Sequence, residues 1–377
     1  MVGAGPAGSS LALSLARDGA HVTLFDPSHP REKPCGGGLT RRTLQLLPKA
    51  PADDPLPARW VDRCRLECAS GNGVEIPFPE PLAIVARGEF DAWLLRRAVA
   101  QGVRHVPARV VAVEKPARLR LGNGIQERFD MVVGADGAGS LVRRALLGPT
   151  PPGRLLIGAG WRMAGDHPMT IRFFPGLAGY AWLFPRAGHV GVGICAPLGR
   201  LPTCELLARL ETLVKPGCLE SGRTLYAHTI PCPSPDPRSV LEIAGASWAL
   251  VGDAAALADP ITGEGIYFGL RSAALLAETL REDGSAARYP ERALEDFGRE
   301  LLKAAAIRER FYAPGFTDRL IDLAARSASV RGTLGDLIRG RQGYLGLKRR
   351  LLLCAPRVLV ESALARLFPS AGSAEPR

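Results

Sequence analysis

Gly3-Ala4-Gly5-Pro6-Ala7-Gly8 opens the chain as a G-x-G-x-x-G run, and residues 9–18 behind it carry apolar side chains at helical spacing. Each glycine has its own physical task in such a run. Gly3 permits a tight turn out of a strand, Gly5 lets a pyrophosphate approach the backbone, and Gly8 allows close helix packing. Pro6 and Ala7 lie where the helix begins, and the free N–H groups there hold an anion. The helix is predicted to stop at Gly19, and Val22-Thr23-Leu24-Phe25 reads as a strand ending in Asp26, the acid expected to bind a ribose. Together these elements predict the dinucleotide-binding unit of an α/β fold with a Rossmann-like sheet. Such a fingerprint normally follows a buried strand of several apolar residues, yet only Met1 and Val2 precede Gly3. The first strand therefore reads as truncated, with the true start expected upstream, because a sheet lacking its middle strand leaves neighbouring backbone groups unpaired.

A chain of 377 residues with 46% hydrophobic and 23% charged residues can bury a large core, which excludes disorder. Two closely joined domains and a tail are expected. The net charge of +11 suits an anionic dinucleotide, a diphosphate-bearing substrate or an anionic membrane surface. No basic run interleaves with aromatics, so nucleic acid is not expected as a partner. The eight cysteines lack paired spacing, Cys64 and Cys68 are not spaced as a zinc knuckle, and no histidine pair joins them. No bound metal is expected. With no basic-then-apolar leader ahead of the fingerprint, the thiols read as reduced and the protein as cytoplasmic. No apolar run reaches membrane-spanning length.

After a loop at 27–34, Cys35-Gly36-Gly37-Gly38-Leu39 leads into an expected helix at 40–47. Three glycines in a row let the backbone lie flat against a ligand, or they simply make a flexible turn. Residues 48–57 read as a linker, and the strand-like runs at 64–69 and 74–78 look like part of a second layer. A helix from Arg87 through Val99 ends at Gly102, strand-like pieces follow within 103–113, and Gly122-Asn123-Gly124 signals a hairpin. Met131-Val132-Val133 is a buried-strand pattern that runs into Asp136-Gly137, a strand end where a ligand can meet the sheet. Trp248-Ala249-Leu250-Val251 repeats the pattern into Gly252-Asp253. Pro260, Gly263, Glu264, Gly265 and Ile266 then lead into an alanine-rich helix at 267–280, whose N-terminus offers positive potential to an anionic ring.

Between these motifs, residues 155–243 change character to short alternating runs, the pattern of antiparallel strands, with one helix near 204–214. This section reads as an inserted, mainly antiparallel β substrate domain. Tyr180 and Trp182 alternate with Ala181 and Leu183 and so share one face, either as core packing or as a ligand wall. Beyond Tyr289 the chain reads as helical. From Arg319 it is basic and amphipathic, with Lys348-Arg349-Arg350-Leu351-Leu352-Leu353 suiting either a solvated face or peripheral membrane contact. The expected organisation is a discontinuous nucleotide domain at 1–48, 80–154 and 244–300, a substrate domain at 49–79 and 155–243, and a C-terminal helical region at 301–377.

The three strand-end motifs, in this order, resemble the flavoprotein superfamily of p-hydroxybenzoate hydroxylase over about residues 2–280. That resemblance implies FAD, with its ADP half on the Gly3–Gly8 motif and its ribose on Asp26. It further implies that Asp136 and Gly137 serve the cofactor and a transient nicotinamide, that Gly252 and Asp253 contact the pyrophosphate and ribitol, and that Arg87 lies near the FAD. Lys33-Pro34-Cys35-Gly36-Gly37-Gly38, Tyr180-Ala181-Trp182-Leu183-Phe184-Pro185 and the loop 259–265 resemble more closely the geranylgeranyl reductase family. Its members reduce carbon–carbon double bonds in prenyl chains. The resemblance implies Cys35 beside the reacting bond, Tyr180, Trp182 and Phe184 along the substrate, and Pro260, Gly263, Glu264, Gly265 and Ile266 on the flavin side. Only one complete G-x-G-x-x-G occurs, so electrons are expected from NAD(P)H binding transiently or from a donor protein such as ferredoxin. Competing readings are an FAD-dependent monooxygenase acting on an aromatic or quinone, a more distant flavin halogenase, and a non-catalytic lipid-binding remnant of the fold.

Overall fold

The computed structural model describes residues 1–33, 35–68, 71–114, 117–214 and 225–367. Pro34 of the cysteine-glycine motif, Ala69 of an expected strand and the end of the tail lie outside the described residues.

A parallel sheet forms the base of the nucleotide-binding half. Strand Thr23–Phe25 pairs with Arg104–Val106, and Val132–Gly134 pairs with Trp248–Leu250, which turns back on Ala244–Gly245. Val2 stands between the two groups, making parallel bridges to Phe25 and Gly134. The backbone groups expected to go unpaired find partners there: Phe25 N–H donates to Met1 O, Gly3 N–H to Phe25 O, and Val2 N–H to Val133 O. The helices Pro6–Arg17, Arg87–Ala100 and Ile266–Asp283 pack on one another and on this sheet through a core that includes Leu11, Leu24, Val132, Leu250 and Leu276.

A second sheet has eight strands in the order Tyr226–Pro231, Leu155–Met163, His189–Pro197, Tyr180–Arg186, Thr170–Phe173, Ala58–Glu67, Gly73–Val85 and Gly38–Leu39. Its neighbours are antiparallel except Thr170–Phe173 beside Ala58–Glu67. Side chains of Tyr180–Arg186 alternate between its two faces, as a period of two requires. Trp182 and Phe184 join a cluster with Ile321 and Leu334 of the C-terminal helices, whereas Ala181 and Leu183 pack with Leu206 and Leu210 of helix Thr203–Glu211.

Two details depart from the sequence reading. Gly73–Val85 runs through the expected domain boundary at 79/80, and the strand was hard to see because prolines occupy 77, 79 and 81. They are tolerated because the pairing with Ala58–Glu67 shifts register beside them and the next strand covers only residues 83 and 84. The helix expected at 40–47 is a single turn, Arg41–Leu44, capped by the Thr40 side chain. Downstream, Tyr289–Ala293, Arg299–Phe311, Phe316–Arg326, Ala328–Ile338 and Tyr344–Leu367 form the helical region.

Candidate active site

Loops at the carboxyl ends of the parallel strands line one cleft of about 450 Å³, where Gly5, Asp26, Asp136, Gly252 and Asp253 converge with Arg87. The glycines of the fingerprint act as separate parts. Gly3 has φ +100°, and a Cβ there would lie 2.3 Å from Ala135 O; at Gly8 it would lie 1.9 Å from Gly3 O. Gly5 instead lines the open cleft. No side chain caps helix Pro6–Arg17, and Pro6 has no N–H to offer, so the N–H groups of the first turn face an incoming anion.

Asp26 is already heavily engaged. Its carboxylate accepts from Ala4 N–H (2.8 Å), Ser28 N–H (2.7 Å), Ser28 Oγ (2.8 Å) and His29 N–H (3.1 Å), and pairs with His29 Nδ1 at 2.6 Å. Burial alone would raise its pKa, but the bonds from His29 and Ala4 win and hold it well below the usual carboxylate range. On its far side, the His29 ring reaches Asp91 at 3.3 Å, and Asp91 makes a bidentate pair with buried Arg87 at 2.9 Å. Burial opposes the charge on His29, yet its two carboxylate partners raise its pKa.

Asp136 turns its carboxylate inward to cap helix Leu141–Leu147, accepting from Ser140 Oγ, Leu141 N–H and Val142 N–H. Asp253 pairs with Lys33 at 2.6 Å. Burial is the largest influence on that carboxyl and pushes its pKa up, but Lys33 prevails and holds it low. Burial and then Lys33 depress the pKa of nearby His228.

A second cavity, about 220 Å³ and largely aliphatic and aromatic in its walls, adjoins the first. Cys35, Gly36, Tyr180 and Phe184 line both. The glycine loop between them is pressed flat: a Cβ on Gly36 would lie 2.7 Å from the Phe184 ring, and one on Gly37, at φ +78°, would lie 2.1 Å from Val85 O. The Cys35 Sγ accepts from Gly37 N–H at 3.3 Å, and Arg186 donates to the Cys35 carbonyl. Tyr180 OH donates to Thr262 O and Tyr312 OH to Ile261 O, which fasten the loop that leads to helix Ile266–Asp283. No side chain caps that helix, so its N-terminal dipole faces the junction of the cavities, where Gly265 and Ile266 line both.

Most residues singled out from sequence meet here. Gly3, Gly5, Pro6, Ala7, Asp26, Arg87, Asp136, Gly137, Gly252, Asp253, Gly263, Gly265 and Ile266 line the cleft with Cys35, Tyr180, Trp182 and Phe184. Three stand elsewhere. Gly8 supports the cleft from behind, Pro260 is buried and lines neither cavity, and Glu264 lines the apolar one, paired with Arg42 at 2.5 Å. Sequence reasoning missed His29 and His228, which carry no motif spacing, and it quoted Lys33 at the head of the cysteine-glycine motif without foreseeing its pairing with Asp253. It also missed the apolar wall supplied by Phe311, Leu334, Ile338 and Tyr344 from the C-terminal helices.

The uncapped helix starts and the backbone turn that Gly3 and Gly8 hold close, with Gly5 open to the cleft, fit a flavin adenine dinucleotide. Among the described residues no cluster of His, Cys, Asp and Glu could hold a metal ion, and no helix is long and apolar enough to cross a membrane.

No family model matches the chain. It is 30% identical to menaquinone reductase of Mycobacterium tuberculosis, over 88% of each chain. It is 31% identical to digeranylgeranylglycerophospholipid reductase 1 of Methanopyrus kandleri, over 79% of this chain and 86% of that one. Among solved structures, a geranylgeranyl bacteriochlorophyll reductase-like protein of Thermoplasma acidophilum shares the fold with a TM-score of 0.74. The match spans 93% of this chain and 97% of that one at 23% identity.

Proposed function

This chain belongs to the geranylgeranyl reductase family of FAD-dependent oxidoreductases, and from that premise we propose that it reduces carbon–carbon double bonds in a prenyl chain. One observation carries the reading: an aliphatic and aromatic cavity opens onto the dinucleotide cleft at Cys35, Gly36, Tyr180 and Phe184. The names of its relatives, reductases of a menaquinone and of a geranylgeranyl phospholipid, favour the same substrate class.

When bound and reduced, FAD supplies the hydride. The protein supplies the setting. The glycine motif and the first turn of helix Pro6–Arg17 hold the pyrophosphate, and the N-terminus of helix Ile266–Asp283 stabilises negative charge on the ring system. An isolated alkene is a poor hydride acceptor, so positioning and exclusion of water carry much of the burden. Phe184 and Tyr180 line the junction, Trp182 stands on its cleft side, and the three hold the isoprenoid by burial, at about 0.8 kcal/mol per CH₂. Cys35, in both cavities, positions the reacting bond and shapes the approach of its proton. Electrons enter from NAD(P)H bound transiently in the cleft or from a ferredoxin-like donor.

The test is anaerobic. The flavin of the loaded enzyme is reduced chemically, and prenyl diphosphates, prenyl quinones and prenyl phospholipids are added in turn. The expected result is flavin reoxidation coupled to a two-hydrogen mass gain in one of them. Turnover that begins only when oxygen is admitted and yields a hydroxylated product would overturn the proposal in favour of a monooxygenase.

A further inference from the structure

The helix Tyr344–Leu367 turns an aliphatic face outward. Leu352, Leu353 and Leu359 are 65%, 70% and 73% exposed, and Leu345, Val360 and Leu364 stand on the same side. Positions 345, 352 and 359 repeat every seven residues and 353, 360 and 364 lie beside them, so the six form one stripe along the helix. Polar bonds on the inner side set the roll of the helix. Glu361 accepts from Ser327 Oγ, Ser329 N–H (3.1 Å) and Ser329 Oγ (3.0 Å), and Arg350 pairs with Asp336 at 2.7 Å. Glu361 is the helix's one acid and faces inward, while Lys348 and Arg357 are exposed at the two margins of the stripe and Arg349 is exposed within it, between Leu345 and Leu353. The same helix starts at Tyr344, which lines the apolar cavity together with Leu337 and Ile338 of the preceding helix.

We propose that this helix lies flat on an anionic lipid bilayer, its leucines among the acyl chains and its cations at the headgroups, with the apolar cavity beside the membrane. Exposed leucines with cations at their margins and among them, whose long stems let the charges reach the headgroups, are what an anionic bilayer surface attracts. A second copy of this chain suits the face less well, because the helix carries no exposed acid to meet Lys348, Arg349 and Arg357 of another copy. The docking rests on the helix; only its use for delivering substrate rests on the reading of the cavity as a prenyl site.

Flotation of the full FAD-loaded chain tests it, with vesicles of phosphatidylcholine alone and with about a quarter phosphatidylglycerol. Wild type should float with the anionic vesicles and less with the neutral ones. Lys348→Gln with Arg349→Gln should weaken that binding about thirtyfold, from two cations near the surface. Leu352→Asp with Leu359→Asp should abolish it. Both pairs should keep the wild-type melting midpoint and the turnover of a short prenyl substrate in detergent. Wild type left in the lower layer, or an aspartate variant that floats as wild type does, overturns the proposal. So does a wild-type dimer by light scattering that the aspartates dissociate, since the stripe would then be a subunit interface. Vesicle binding retained by a protein that reduces no prenyl compound would support the docking while removing the proposed reaction.

Discussion

Cys35 touches both cavities through one small side chain, with its backbone held by Arg186 and its sulfur by Gly37 N–H. Replacing it with alanine keeps the volume small and leaves the glycine loop in place. Cys35→Ala should therefore retain FAD, read from visible absorbance, yet lose at least about tenfold in turnover, equivalent to about 1.4 kcal/mol of barrier. Unchanged turnover would remove Cys35 from the mechanism. His29 makes a different prediction, because it bridges Asp26 and Asp91 beneath the cleft. Its pKa is raised on folding, so its stabilisation is complete below the ordinary value near 6.5 and fades as pH rises through the higher folded value. Asp26, held low, behaves in the opposite sense and loses its contribution only as the pH falls far into the acid range. His29→Gln should therefore melt below wild type by a margin that is widest near pH 6 and narrows in alkali. A margin that is flat or grows with pH would contradict this assignment.

At the scale of elements, the first helix is held where a phosphate can meet it by two close backbone approaches. Gly3 sits under Ala135 and Gly8 over Gly3, each at a distance no Cβ tolerates. Gly8→Ala should force the helix from the sheet, costing about 1–3 kcal/mol as overpacking does. The same displacement moves the uncapped N–H groups. The purified variant should thus show both a lower melting midpoint and a lower ratio of flavin to protein absorbance. Loss of stability with full FAD occupancy would separate packing from anion binding at this position. The loop before helix Ile266–Asp283 is closed on itself by Asp259, whose carboxylate accepts from Ile261 N–H and Thr262 N–H, and is fastened from outside by Tyr180 and Tyr312, side chains of distant elements.

Across the whole molecule, the two sheets and the C-terminal helices meet around the junction of the cavities. Lys33 of the early loop pairs with Asp253 of the loop after strand Trp248–Leu250, and Arg42 stacks over Tyr267 while pairing with Glu264. The far wall of the apolar cavity comes from helix Ala328–Ile338, so its length is set by the region furthest in sequence from the glycine fingerprint. Leu337→Trp should shorten the cavity. A substrate of one or two isoprene units should keep its kcat/KM, while a geranylgeranyl chain should lose about tenfold, or about 1.4 kcal/mol. Equal losses for both would mean that the chain does not run toward this helix.

Much of this was legible without a structure, because it depends on local chemistry. A glycine that must approach a backbone, an acid at a strand end and an alternation of Tyr180, Trp182 and Phe184 are constraints on neighbours in sequence, and they appear as spacing. Strand Gly73–Val85 was obscured because its prolines obey an edge and a register shift that only the assembled sheet defines. His29 and His228 carry no pattern, since each takes its charge state from burial and from partners that folding brings beside it, and the pairing of Lys33 with Asp253 joins loops far apart in the chain. Glu264 stands in the motif that announces a cofactor but faces the apolar cavity, and the wall opposite it is built from helices whose leucines look, in sequence, like any other core. The α/β class and the glycine and strand-end motifs could be read from the residues alone, because they are short-range requirements of one turn or one strand end. Which apolar surface becomes the cavity and which stays exposed follows from the packed fold, because it depends on segments that are distant in the chain and meet only when they pack.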